Sequence, residues 1–246
     1  YLVTAHYVFD GIVVTVDGTL GEGQLDEHEE AVKQAAVADR IVITKIDIAE
    51  RARLDSLRRR VGALNPTARI LESSLGDVDP EDILRVGLLD ISQKSPDVQR
   101  WLREEALLAE NHVHEHDHAQ HKHDPHRHDA RIHTFCVNLD KVATWQGYAA
   151  WLEAVRSLRG ADLLRVKGLL AIEDPLRPYV IQGVQHVFSP PVRLPAWPSG
   201  DRRSRLIFIT RDLDRATIEP TLRLLDDPAA IWREAIERAV ERTTRG

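Results

Sequence analysis

Short apolar runs alternate with charged, helix-period stretches through the first third of the chain. Residues 11–17 (GIVVTVD) form a β-branched run of strand length, and residues 24–38 (QLDEHEEAVKQAAVA) bring Leu25, Val32, Ala35 and Ala36 near helical spacing. A second strand is predicted over 40–47 (RIVITKID), a charged amphipathic helix over 48–64, and a third strand over 68–73 (ARILES). These strands are continuous apolar runs, which marks burial on both faces of a parallel sheet. Strand and helix alternating in this order predict βαβ crossovers in an α/β layer fold.

Residues 80–90 and 95–110 read as closing helices, the second entered through Ser95 and Pro96 as cap and first-turn proline. Beyond residue 130 the pattern changes. Strands are predicted over 131–139, 162–172, 177–188 and 204–212, with a helix over 144–158, a proline-rich loop over 189–200, and helices from about Asp214 and Pro228. Long strands in this order favour a smaller antiparallel α+β sandwich. Between the two halves, residues 111–129 (NHVHEHDHAQHKHDPHRHD) hold eight of the chain's 12 histidines in a polar run suited to a linker.

Composition narrows the functional classes. The formal net charge of -6 argues against the concentrated basic face that nucleic acid requires, so no nucleic-acid partner is expected. No apolar run approaches the roughly 18 residues that span a bilayer, and no basic-then-apolar leader pattern opens the sequence. A cytoplasmic protein without a membrane partner is expected. The single cysteine, Cys136, allows no intramolecular disulfide and no multi-thiolate metal site; within RIHTFCVNL it reads as a buried strand thiol. The absence of methionine and the start at Tyr1, close to an apolar run, suggest the C-terminal portion of something longer.

Candidate chemistry lies in ITKID. Thr44, Lys45 and Asp47 fall at the C-terminal end of a predicted parallel strand, where open α/β sheets bind ligands. In a [NT]-K-x-D loop the Asp carboxylate accepts paired hydrogen bonds from guanine N1 and N2, donors that adenine does not offer. The Lys stem lies along the base, and the first residue ties the loop to its neighbours. Any strand ending in a surface turn can carry these four letters, so context matters. A second loop, LESSLGD, follows the next strand, where backbone amides near Ser73 and Ser74 could meet the guanine O6; a plain polar turn reads the same way.

These two loops, GIVVTVDG, QLDEHEEAVKQAAVADRIVITKIDIAE, ARILESSLGDVDPEDIL, the histidine-rich linker and LLRVKGLLAIED, YVIQGVQHVFSPP and SRLIFITRDLD together resemble the CobW-like family of P-loop GTPases. The resemblance covers nearly the whole chain in the family's order. It implies the C-terminal part of a GTPase parallel sheet over 1–110, a His-rich metal-binding linker over 111–130, and a CobW C-terminal domain of α+β class over 131–246. It also implies work as a metal chaperone or insertase of the zinc or cobalt class, with GTP or GDP and Mg in the intact protein and a client metalloprotein as partner. The guanine contacts then fall to Thr44, Lys45 and Asp47.

The family's phosphate-binding motif, Gly-x-x-x-x-Gly-Lys-Ser/Thr, has no counterpart in this sequence, nor does its Cys-x-Cys-Cys metal motif. Phosphoryl transfer depends on positioning and charge stabilisation of the γ-phosphate, so no catalytic residue is assigned and this chain alone is expected to hydrolyse no GTP.

Imidazole suits zinc, cobalt and nickel, and the H-x-H spacings of His112, His114, His116, His118, His121, His123, His126 and His128 let a flexible loop assemble many alternative ligand sets. Such a tract binds several ions weakly and exchanges them quickly, which fits delivery or buffering. A solvated linker, a pH-sensitive spacer or a purification tag are the competing readings, the last disfavoured by the irregular, internal run. His133 could join a metal cluster, His28 reads as solvent-facing on the first helix, and His186 as a strand histidine. Trp145, Trp151, Trp197 and Trp232 are expected to pack the second domain, and Arg51, Arg53 and Arg58 to Arg60 to form a solvated helix face. The alternative to a nucleotide-dependent chaperone is a non-enzymatic metal-buffering or interaction module.

Overall fold

The computed structural model describes residues 11–84, 131–157 and 161–229, and the chain divides into two compact units, Tyr1–Thr134 and Phe135–Gly246. The predicted helix over 95–110, the histidine tract and Trp232 lie outside the described residues.

In the first unit, β1 (Val13–Asp17), α1 (Gly21–Glu27), α2 (Glu29–Val37), β2 (Arg40–Thr44), α3 (Arg51–Leu64), β3 (Arg69–Glu72) and the short α4 (Pro80–Ile83) follow in order. The three strands form a parallel sheet ordered β1-β2-β3, with Val16 opposite Ile43 and Ile43 opposite Glu72. The continuous apolar run of β2 is buried as expected, and Ile41 and Ile43 join Val16, Leu25, Val32, Leu57 and Val61 in one core.

The helix expected over 24–38 is two. His28 leaves the helical region at φ -125°, ψ 109° and ends α1 before α2 begins. Leu25 and Val32, seven residues apart, still face the same core, so the apolar period runs through the break. The helix expected over 48–64 starts at Arg51, because Lys45 enters the left-handed region (φ 58°) and a turn closes through Ile48 N–H to the Lys45 carbonyl at 3.3 Å. The arginine-rich face is also corrected. Arg60 is buried and pairs with Asp26 at 2.8 Å while donating to the Glu22 carbonyl at 3.0 Å, whereas Arg58 and Arg59 stay exposed.

The second unit takes β4 (Ile132–Leu139) from Phe135 onward, then α5 (Trp145–Ser157), β5 (Leu163–Leu170), β6 (Tyr179–Val184), β7 (Val187–Phe188), β8 (Val192–Arg193), β9 (Ser204–Arg211), α6 (Arg215–Ile218) and a 3-10 helix (Glu219–Leu225). Its sheet is ordered β4-β9-β5-β6-β7 with β8 on β6, and β5 runs antiparallel to both β6 and β9. Trp151, fully buried on α5, meets Phe208 edge-on at 6.4 Å, and Phe208 stacks on Phe135 at 5.3 Å. Cys136 is buried in β4, as the apolar strand around it implied.

The strand expected over 177–188 is a hairpin. Gln185 takes φ 53°, so β6 turns back into β7 and His186 sits exposed in the turn instead of alternating along a strand. The helix expected from Asp214 is capped by that residue, whose carboxylate accepts from Thr217 N–H at 2.9 Å. It tightens into the 3-10 helix at Pro220, whose ring nitrogen offers no donor to an α-helical ladder. Of the tryptophans, Trp145 is 39% exposed and Trp197 half-buried, its indole N–H donating to the Pro175 carbonyl at 2.7 Å. Only Trp151 of the described three is a full core residue.

Candidate functional site at the carboxyl ends of the parallel strands

β1, β2 and β3 end together, and the turns that leave them are tied to one another. The Thr44 carbonyl, at the end of β2, accepts from Gly18 N–H at 2.9 Å, and its hydroxyl reaches the Val16 carbonyl at 3.4 Å. A Cβ on residue 18 would lie 2.6 Å from the Thr44 oxygen, so only glycine permits this approach. Lys45 then turns left-handed and points its ammonium at Asp17, 2.6 Å from Oδ2.

Asp17 is the most heavily engaged group here. Its other oxygen, Oδ1, accepts from the Thr19 amide at 2.7 Å, the Thr19 hydroxyl at 2.6 Å and the Leu20 amide at 3.1 Å. Lys45 foremost, and then Thr19, hold its carboxyl well below the usual carboxylate range. Asp47 lies exposed on the turn that follows. From the β3 side, Ser73 N–H donates to the Ile43 carbonyl at 2.8 Å and the Ser73 carbonyl accepts from Ile46 N–H at 3.4 Å. Ser74 receives Asp77 N–H at 2.8 Å, and between them Leu75 (φ 51°, 94% exposed) and Gly76 (φ 86°) form a tight outward turn.

Thr44, Lys45, Asp47, Ser73 and Ser74 therefore occupy one end of one sheet. An exposed carboxylate at Asp47 has the chemistry to accept two parallel N–H donors. The Ser73 amide is committed to the sheet, and the turn that follows it carries the amides of Leu75 and Gly76. Sequence reasoning passed over Asp17, Gly18 and Thr19. The available signal was an Asp-Gly pair ending the first apolar strand at the same sheet edge.

Among the described residues no group of three or more His, Cys, Asp and Glu side chains could hold a metal ion, and His133 gains no such companions. His112, His114, His116, His118, His121, His123, His126 and His128 lie outside the described residues. His28 is exposed at the break between α1 and α2, and His186 is exposed in the turn between β6 and β7. Among the described residues no helix is long and apolar enough to cross a membrane. The second unit holds an open cavity of about 540 Å³ beside the end of β4, lined by Asn138, Asp140, Lys141, Glu219, Arg223 and Asp226. Its charges are mixed, with Lys141 bonded to Asp226 at 2.5 Å, and none of the residues singled out in the sequence lines it.

Comparison with known proteins finds two separate matches along the chain. Residues 2–72 match the CobW/HypB/UreG nucleotide-binding domain and residues 132–225 the cobalamin synthesis protein cobW C-terminal domain. The zinc chaperone YjiA of Escherichia coli (strain K12) is 26% identical over 203 residues, which cover 82% of this chain and 57% of that protein. The crystal structure of the Zn(II)-bound YjiA GTPase from E. coli superposes with a TM-score of 0.63 at 22% identity, covering 91% of this chain and 63% of that one. A Zn(II)-bound triple mutant of the same GTPase gives a TM-score of 0.64 at 22% identity, over 92% and 64% of the two chains. The chain thus spans under two thirds of the length of these relatives. With both domain matches in order, the chain carries a CobW/HypB/UreG nucleotide-binding segment followed by a cobW C-terminal domain.

Proposed function

We propose that this chain forms the guanine-reading edge and the C-terminal domain of a GTP-dependent metal chaperone, acting in the cytoplasm on a client metalloprotein. The boundaries follow the sequence: residues 1–110 for the nucleotide-binding part, 111–130 for a metal-collecting linker, and 131–246 for the CobW C-terminal domain. Asp47 receives guanine N1 and N2, Lys45 lies along the base, Thr44 holds the loop, and the turn after Ser73 and Ser74 faces O6. The observation that carries this reading is the exposed Asp47 carboxylate beside a left-handed Lys45 at the end of the central parallel strand.

The residues fit a guanine base. They do not fit the triphosphate or its Mg, since no Gly-Lys-Ser/Thr is present to hold them, and no hydrolytic step is assigned to this chain. Cargo is zinc in the first instance, by likeness to a protein named a zinc chaperone, with cobalt and nickel within the chemical range of imidazole.

The test is fluorescence titration of the chain with N-methylanthraniloyl GDP, XDP and ADP, in the wild type and in Asp47→Asn. Guanine preferred over adenine, and a switch toward xanthine in the variant by tenfold or more, is the expected result; roughly 1.4 kcal/mol of lost or gained hydrogen bonding suffices for each factor of ten. Zinc binding without any base preference would instead favour a metal-buffering module, the reading supported by eight histidines in a chain lacking a phosphate-binding motif.

A further inference from the structure

Asp17 presents one carboxylate to two different turns. Oδ2 takes the Lys45 ammonium at 2.6 Å, across 28 residues of sequence, while Oδ1 takes the Thr19 amide, the Thr19 hydroxyl and the Leu20 amide that begin the path into α1. Only 14% of the Asp17 side chain is exposed, against 55% of the Lys45 side chain, so the fixed partner is the acid and the movable one is the long, flexible base. Lys45 is also the residue in the left-handed region, and a lysine stem carries rotamer freedom that a single charged contact can restrain. The adjoining backbone reinforces the arrangement through Gly18 N–H on the Thr44 carbonyl.

We infer that Asp17 is a positioning residue of the base-reading loop: it clamps the Lys45 stem in the orientation that lies along a purine, and it does so by joining the turn after β1 to the turn after β2. This rests on the guanine reading of Thr44, Lys45 and Asp47 given above. Asp17 touches no base itself. Its contribution is to restrain Lys45 before a nucleotide arrives, which lowers the ordering cost of binding.

Two measurements on the full chain test the inference. The first is NMR of lysine ammonium groups, in which a bonded Nζ exchanges protons slowly enough to be seen: the Lys45 signal is expected in the wild type, absent in Asp17→Asn, and recovered at least in part in Asp17→Glu. The second is a double-mutant cycle on N-methylanthraniloyl GDP affinity using Asp17→Asn, Lys45→Ala and both. Asp17→Asn should weaken GDP binding five- to twentyfold on its own and add less than twofold once Lys45 is alanine. Additive losses would assign Asp17 a general structural role and overturn the inference while leaving the guanine reading intact. Unchanged GDP affinity in Asp17→Asn, with the Lys45 signal lost, would overturn it equally. A wild-type chain that binds no guanine nucleotide refutes the base-reading role and this inference with it, whatever the ammonium signal shows.

Discussion

The side-chain amide of Asn65 donates to the Ala38 carbonyl at 2.9 Å, pinning the end of α3 to the end of α2. The same nitrogen lies 2.9 Å from the Ala35 carbonyl and 3.1 Å from that of Ala36, while its oxygen takes the Thr67 amide and hydroxyl. Asn65 is fully buried. Asn65→Ala takes the side-chain donor away from the Ala36 and Ala38 carbonyls, while the Ala35 carbonyl still accepts from Ala38 N–H, and should destabilise the first unit by about 1–3 kcal/mol. Urea unfolding followed by circular dichroism would show the transition of the first unit moving down; an unmoved transition would mean that water replaces the side chain.

Gly147 carries the second unit in a comparable way. A Cβ there would lie 2.0 Å from the Leu225 carbonyl oxygen, because the start of α5 rests on the 3-10 helix backbone, with Thr144 N–H bonded to that same carbonyl at 2.9 Å. Gly147→Ala has to push the two helices apart and should cost about 1–3 kcal/mol or more. Differential scanning calorimetry should register this as a fall of several degrees in Tm of the second unit.

Alkaline unfolding should have a specific source. Tyr148 is 6% exposed, and burial pushes its hydroxyl up to about 12. The unfolded chain releases that proton near pH 10, so the unfolded state binds fewer protons between the two values. The Tyr148 contribution is therefore complete below pH 10 and is lost as pH rises through 12. Absorbance at 295 nm should show one tyrosine titrating late, together with the loss of near-ultraviolet dichroism; Tyr148→Phe should remove that late step.

The histidine tract predicts behaviour that does not depend on the fold. Calorimetric titration with Zn²⁺ should reveal several weak sites that disappear when His112, His114, His116, His118, His121, His123, His126 and His128 become serine, and that weaken below about pH 6.5 as imidazole protonates. Binding that survives the serine substitutions would reduce the tract to a spacer.

What the sequence revealed and concealed has physical causes. Central β2 was legible because a strand buried on both faces must be apolar throughout, as Ile41, Val42 and Ile43 are; β1 and β3, read the same way, are buried only in part, since Val13, Thr15 and Glu72 are exposed at the sheet's two edges. The break at His28 was hidden because Leu25 and Val32 keep one periodicity across it. The turn at Gln185 was hidden because a positive φ usually announces itself as Gly or Asn, and here it falls on glutamine. Thr44, Lys45 and Asp47 were read as a local motif; Asp17 was passed over because its partner is 28 residues away and no local pattern names it. Buried Arg60 was misread as solvated because an arginine run gives no sign of which member will meet Asp26.

β5 is flanked along most of its length, by β6 on one side and β9 on the other, with Gly168 set opposite both Ile181 and Leu206. Its amides have no route to solvent that does not dismantle the middle of the sheet. In hydrogen-deuterium exchange this strand would therefore be the slow clock of the second unit, its exchange reporting whole-unit opening while the β7 edge reports only fraying. A ligand or client that touches the second unit at a distance could then be detected by how far it slows β5, without any knowledge of where it binds.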